Sequence, residues 1–320
     1  MTSTPSKVPV SVLIPAKNEE LNLPACLASL EPADEVFLVD SQSKDRTVEI
    51  AESYGAKVVQ FHFSGRWPKK KNWALENLPF RNEWVLIVDC DERIPPELWA
   101  EISIAIQNLD SDGYYLNRKV FFLGAWIRHG GKYPDWNLRL FKHKKGRYEN
   151  LGTEEVPNTG DNEVHEHVIL AGQVGNLKND MIHEDFRDIY QWLERHNRYS
   201  NWEARVYLNV LTGENAQETI SANLFGDAVE RKRFLKQIWV RWVPFKPTLR
   251  FILFYIIQLG FLDGRAGYIY ARLLAQYEYQ IGVKLYELRR FGGRLNQEQK
   301  PLDSEQSSSQ SRSSQVKIGS

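Results

Sequence analysis

Two aspartates one residue apart, Asp89 and Asp91, close an apolar run that begins at Trp84 and reads WVLIVDCDE. A buried strand ending in Asp-x-Asp aims two carboxylates out of the carboxyl edge of a sheet, where open α/β folds bind ligands. Hard oxygen ligands at that spacing suit Mg²⁺ or Mn²⁺, ions usually shared with substrate phosphates. The pair therefore points to chemistry on a nucleoside diphosphate. The plainer alternative is a strand followed by a polar turn with capping aspartates. Two further groups have the residue types for such chemistry: Lys69-Lys70-Lys71-Asn72, a basic cluster at a helix start, and Glu163-Val164-His165-Glu166-His167.

The elements that must position these residues alternate. Residues 8–16 (VPVSVLIPA) form an apolar run rich in branched side chains, as expected of a parallel strand buried on both faces. Asn18, Glu19 and Glu20 open a helical pattern through Leu30, with acids where the helix dipole favours them. Strands follow at 35–40, 56–63 and 84–89, and helices at 43–54, 68–78 and 95–108, with Gly55 stopping one of them. Strand, helix, strand at this spacing predicts right-handed βαβ units and a parallel sheet. Between residues 113 and 183 the pattern changes to shorter β-like pieces, and 189–208 reads as an aromatic helix. The Ser- and Gln-rich end should be disordered.

Composition narrows the class. A hydrophobic share of 42% over 320 residues permits a large core, and 41 basic residues balance 41 acidic ones, which argues against a general nucleic-acid binder. The two cysteines, Cys26 and Cys90, fall in a predicted helix and strand, so a reducing cytosol fits better than a disulfide scaffold. No signal-peptide pattern opens the chain, and no run reaches the roughly 18 apolar residues that span a bilayer.

The motifs SVLIPAKNEE, VDSQSKDRT, KKKNWAL and VDCDE, in this order and at ordinary spacing, resemble family 2 glycosyltransferases of the GT-A fold. The resemblance covers roughly residues 8–200. The continuation PDWNLRLFK, EVHEHV and MIHEDFRDIYQWLERHNRYS is similar to a bacterial subgroup that includes lipopolysaccharide-core glucosyltransferases. It implies an α/β fold of the nucleotide-diphospho-sugar transferase type and an inverting, metal-dependent transfer. The sugar would pass from a nucleotide-sugar donor, a UDP-sugar first, to a hydroxyl of a glycolipid, lipopolysaccharide-core or polysaccharide-precursor acceptor.

The same resemblance distributes roles. Pro15, Ala16, Asn18 and Glu19 should line the base and ribose, and Asp40 should accept a hydrogen bond from the base, its alternative being a cap for the next helix. Ser43 reads as that cap. Lys71 and Asn72 best match the family at the diphosphate, while at least one of the three lysines should be a solvated helix charge. Asp91 would bind the metal directly, with Asp89 at the ribose or the ion, and Cys90 inert between them. A base must take the proton of the attacking hydroxyl; Glu166 matches the family's acidic position. His165 and His167 would flank it, and His183, Trp136 and Arg139 are candidate acceptor or diphosphate contacts. A His-x-His pair can hold zinc, but no cysteine lies near it in sequence.

Residues 231–250 carry seven Lys or Arg and no acid, interleaved with Trp239, Trp242 and Phe245, and a twelve-residue, mostly apolar stretch follows at 251–262. Such a segment suits a membrane surface. The expected organisation is a flexible 1–7, a nucleotide-sugar half at 8–112, an acceptor half at 113–210, an amphipathic helical membrane-associating region at 211–295 and a disordered 296–320. The protein would then be cytoplasmic and peripheral on the inner face of the plasma membrane. Competing readings are another nucleotide enzyme, against which the glycine-free turn Ala16-Lys17-Asn18-Glu19 counts, and a catalytically inactive binding module.

Overall fold

The structure is a computed structural model that describes residues 7–150, 161, 166–213, 222–225 and 228–298. Residue 165 and the two chain ends, 1–6 and 299–320, where flexibility and disorder were expected, lie outside the described residues.

The first half alternates as anticipated: β1 (Val8–Ala16), α1 (Leu23–Ser29), β2 (Ala33–Asp40), α2 (Thr47–Ser53), β3 (Lys57–Gln60), α3 (Lys70–Asn77), β4 (Trp84–Ile87), β5 (Glu92–Arg93) and α4 (Pro96–Ala105). β1 pairs in parallel with β2 and β4, and β2 with β3. Along β1, Val10, Val12 and Ile14 enter one core and Leu13 the other, so the strand is apolar throughout because both faces are covered.

Two helices begin later than their sequence patterns suggest, for one reason. Asn18 stands at φ 54° with its Oδ1 accepting from Lys44 N, and Asp45 accepts from Glu20 N and Thr47 N. These side chains offer the backbone partners other than a helical turn. Ser43 is accordingly not a helix cap; its hydroxyl accepts from Asn18 N. Gly55, at φ 76°, ends α2 as expected.

The second half adds β6 (Gly113–Phe122), β7 (Ala125–Trp126), β8 (Trp136–Lys142), β9 (Gly146–Tyr148), β10 (Val168–Leu170) and β11 (Val174–Glu184). The large sheet runs β3-β2-β1-β4-β8-β6-β11-β5, with β7 folded back on β6 and β9–β10 as a separate pair. β4 meets β8 antiparallel, while β11 runs parallel to β6 and antiparallel to β5. That last pairing matters most for the site. It sets His183 opposite Glu92 and gives Asp91 O the amide of Glu184, which carries the end of β11 to the Asp-x-Asp turn.

Helices complete the chain: α5 (Ile189–Thr212), α6 (Ala228–Trp242), α7 (Lys246–Phe251), a π-helical turn at Ile252–Ile257, a 3-10 turn at Gly260–Asp263 and α8 (Gly264–Glu298). They are fastened to the sheet. The tip of the Phe254 ring packs against Gly130, where a Cβ would fall 2.3 Å from it, and His129 Nδ1 meets Asp263 at 2.6 Å. Buried Glu278 accepts from Tyr207 Oη (2.9 Å), Trp239 Nε1 (3.0 Å) and Arg250 Nη2 (3.1 Å), tying α5, α6 and α7 to α8.

Four of the seven basic residues at 231–250 are engaged within the protein. Arg233 pairs with Glu149, Lys236 with Glu203 and Arg250 with Glu278, and Arg241 donates to Val210 O. Those charges hold the helices to the protein. Beside the exposed Arg231, Lys232 and Arg241, apolar side chains also face outward: Trp242, Phe245, Ile257 and Leu262 are each more than half exposed. No helix among the described residues is long and apolar enough to cross a membrane.

Candidate active site

The carboxyl ends of β1 and β4, the start of α3, and residues from β6, β8, β11 and α5 enclose a cleft of about 620 Å³. Pro15, Ala16 and Glu19 form part of its wall.

The two aspartates are not equivalent. Asp89 accepts from Arg139 Nη2 at 2.8 Å and lies 3.2 Å from Lys71 Nζ. Burial opposes its ionisation, yet Arg139 and Lys71 hold the carboxyl well below the usual range. Glu92, wholly buried, accepts from Asp89 N (2.8 Å), Arg139 (3.0 Å) and Arg118 (3.2 Å), and so fixes the turn. Arg139 lies on the cleft floor, bound to Asp89 and Glu92. Asp91 is looser. Its Oδ2 lies 3.6 Å from His183 Nε2, 3.8 Å from Arg195 and 3.9 Å from Arg187, and its carboxylate makes no hydrogen bond among the described residues.

All three lysines are buried, against the expectation of a solvated helix charge. Lys69 Nζ meets Glu166 at 2.6 Å. Lys70 donates to Ala16 O at 2.8 Å and lies 3.6 Å from Asp161; burial pulls its ammonium pKa down and Asp161 opposes that. Lys71 sits by Asp89, 5.3 Å from the centre of the Tyr148 ring. Buried ammonium groups aimed at a cleft are electrostatically strong because so little water screens them.

Three nucleotide-site expectations are corrected. Asn72 spends its amide on the backbone of Tyr148, donating to its O at 2.8 Å and accepting from its N at 2.7 Å, and it is absent from the cleft wall. Asp40 is fully buried, accepting from Ser43 N and Gln60 Nε2, each at 2.9 Å, and supports the strand-end turn. Asn18 braces the same turn from outside.

Glu166 and His167 line the cleft, and His167 N donates to Glu149 Oε1 at 2.8 Å. His165 lies outside the described residues. Trp136 is half-buried on the opposite wall.

Sequence reasoning passed over a second cationic bank. Arg187 pairs with Glu19 (2.9 Å) and Asp185 (2.8 Å), and Arg195 pairs with Asp185. Burial lifts the Glu19 carboxyl to about 7 despite Arg187. The available signal was the string His183-Glu184-Asp185-Phe186-Arg187, with Arg195 on the next helix: acids and arginines crowded at a strand end.

The donor set can be tested against a divalent cation. Asp91 and His183 offer one oxygen and one nitrogen that already converge, while Asp89 is taken by Lys71 and Arg139. Among the described residues no cluster of three or more metal-type side chains exists. An ion here would draw its remaining ligands from substrate phosphate and water, the habit of Mg²⁺ and Mn²⁺ in phosphate-handling sites. The residues fit such an ion, with Asp91 in place of the expected Asp91–Asp89 pair.

Comparison with known proteins bears on the class of chemistry. The model of glycosyl transferase family 2 matches residues 11–160. An uncharacterised glycosyltransferase of Rickettsia conorii is 32% identical over 205 residues, 61% of this chain and 69% of that one. The chain belongs to glycosyl transferase family 2. This family 2 glycosyltransferase is also 27% identical over 298 residues, 91% of its length, to the lipopolysaccharide core biosynthesis glycosyltransferase LpsC of Rhizobium meliloti, 96% of which is covered. Among solved structures it is similar to S. aureus TarS 1-349 in complex with UDP-GlcNAc, at 16% identity and a TM-score of 0.44, over 88% of this chain and 91% of that one. The α/β sheet with its carboxyl-edge cleft is the GT-A fold of the family.

Proposed function

We propose that the cleft transfers a sugar from a nucleoside-diphosphate donor to a hydroxyl of a lipopolysaccharide-core or related glycolipid or polysaccharide-precursor acceptor, by direct displacement with inversion. One observation carries the reading. Asp91 and His183 converge beside Arg187 and Arg195 on one side of the cleft, and a buried carboxylate, Glu166, lies within the same cleft. The near full-length similarity to LpsC supports the acceptor class.

Each residue has a definable task. Lys70, Lys71, Arg187 and Arg195 are placed to attract the donor diphosphate, and Glu19 to hold Arg187 in position. Asp91 and His183 would hold a Mn²⁺ or Mg²⁺ ion, which when bound would offset charge on the departing diphosphate. Glu166 takes the acceptor proton, with Lys69 fixing the orientation of its carboxylate. Pro15, Ala16 and Asp89 bound the donor. The exposed apolar shelf of Trp242, Phe245, Ile257 and Leu262 rests on the membrane that carries the acceptor, at the inner face of the plasma membrane.

The mechanism is tested by the anomeric coupling constant of the product formed from a donor of known configuration, read by proton NMR. Inversion is expected; a retained configuration would rule out a single displacement.

A further inference from the structure

The last helices present charge of one sign to solvent. Between Glu230 and Glu287 the chain has ten Lys or Arg and two acids, Asp263 and Glu278. The side chains of both acids are at most 3% exposed, one held by His129 and the other by Arg250. Lys284 is also engaged, donating to Asn197 O and Ser200 Oγ. Lys246, Arg265 and Arg272 have no carboxylate within ion-pair distance among the described residues. One of these cations stands in a groove. α7 and α8 bound a space of about 440 Å³ lined by apolar Pro247 and Phe251 and by Thr248, Arg272, Gln276 and Tyr279, with no carboxylate in its wall. The Arg272 guanidinium lies 5.7 Å from the centre of the Phe251 ring, which stacks in turn on Tyr255. Along α8 the residues Tyr268, Arg272, Tyr279, Val283 and Tyr286 are exposed, at spacings that put them on one helix face. Tyrosine at headgroup level and arginine toward anionic lipid are the residue types of a membrane surface. The planar fork of a guanidinium pairs with two phosphate oxygens, and here it has neutral donors beside it and apolar walls below. A choline or ethanolamine headgroup finds no acid in the groove, and the Phe251 ring is already engaged by Arg272.

We infer that this groove is a headgroup site for an anionic phospholipid, with Arg272 on the phosphodiester and the glycerol and upper acyl chain against Pro247 and Phe251. The inference rests on the membrane contact proposed above and deepens it, from an apolar shelf that meets any bilayer to one place that selects a headgroup.

The test sediments the full chain with phosphatidylcholine vesicles made with and without phosphatidylglycerol. The anionic vesicles should bind about tenfold or more tightly. Removing any one near-surface charge weakens such attraction about fivefold, and Arg265→Gln, exposed on the same helix but outside the groove, should lose that and no more. Arg272→Gln should lose more than tenfold, and Arg272→Lys, which keeps the charge without the fork, nearly as much. Both arginines are exposed and without an ion pair, so all three variants should unfold at the wild-type urea concentration. Equal losses in Arg265→Gln and Arg272→Gln, or wild-type binding by Arg272→Lys, would reduce the face to diffuse charge and overturn the site. Dihexanoyl-phosphatidylglycerol and its phosphatidylcholine counterpart, titrated calorimetrically as monomers, read the groove without a membrane. A preference for the first that Arg272→Lys removes supports the site even where vesicles fail to carry the protein down, and it is then the apolar shelf that fails. Indifference to headgroup in both formats would overturn the inference. So would a wild-type dimer that Arg272→Gln dissociates, since the groove would then belong to a second copy.

Discussion

Asp91→Ala is expected to lower transfer roughly 10³-fold, the several kcal/mol that a bound cation contributes at a phosphate leaving group. The fold should survive. The Asp91 side chain contacts His183, Arg187 and Arg195 only at 3.6–3.9 Å and makes no hydrogen bond among the described residues. Stability in urea should therefore change by no more than about 1 kcal/mol, the scale for residues outside a tightly bonded network. Asp89→Ala makes an instructive contrast. It would strip Arg139 and Lys71 of a shared buried partner, so activity and stability should fall together. Turnover by Asp91→Ala equal to that of the wild type would end the assignment of Asp91 to the ion.

The second large effect is expected at the base. Glu166→Gln should leave donor affinity intact and slow the chemical step by about 10²–10⁴, the usual contribution of a positioned general base. It should also destabilise the protein, because Lys69 would be left charged with its partner gone in a site where both side chains are at most 2% exposed. Breaking a pair of that kind costs on the order of 3 kcal/mol. The two consequences can be separated. Adding Lys69→Met to Glu166→Gln should recover stability, as replacing both members of a buried pair often does, while the rate stays low. Single-turnover kinetics at saturating donor, beside urea unfolding, reads both. A normal rate in Glu166→Gln would move the base elsewhere.

How much of this was legible depended on how far apart the partners lie in the chain. β1, β2 and β4 could be read because strands buried on both faces must be continuously apolar, and Asp89 and Asp91 because they end such a strand. The burial of Lys69, Lys70 and Lys71 could not. Consecutive lysines on a helix resemble a solvated face until Glu166, Asp161 and Asp89 are brought to them by the fold. The same blindness affected residues 231–250, three of whose seven charges are matched by Glu149, Glu203 and Glu278 from distant segments. Asp40 and Asn72 were misplaced for a related reason. A polar side chain at a strand end or helix start can serve a backbone as well as a ligand, and spacing does not distinguish the two. His183 was singled out, but its convergence with Asp91 depends on the β5–β11 register, which only the folded sheet displays.

The most direct test of the central claim is calorimetric titration of the purified chain with UDP, GDP and dTDP, each with and without Mn²⁺. Tight binding of one nucleotide that requires Mn²⁺ and disappears in Asp91→Ala is the predicted result, and it names the donor base. Well-folded protein that binds none of the three under either condition would contradict the account and leave a glycosyltransferase fold serving as a non-catalytic binding module.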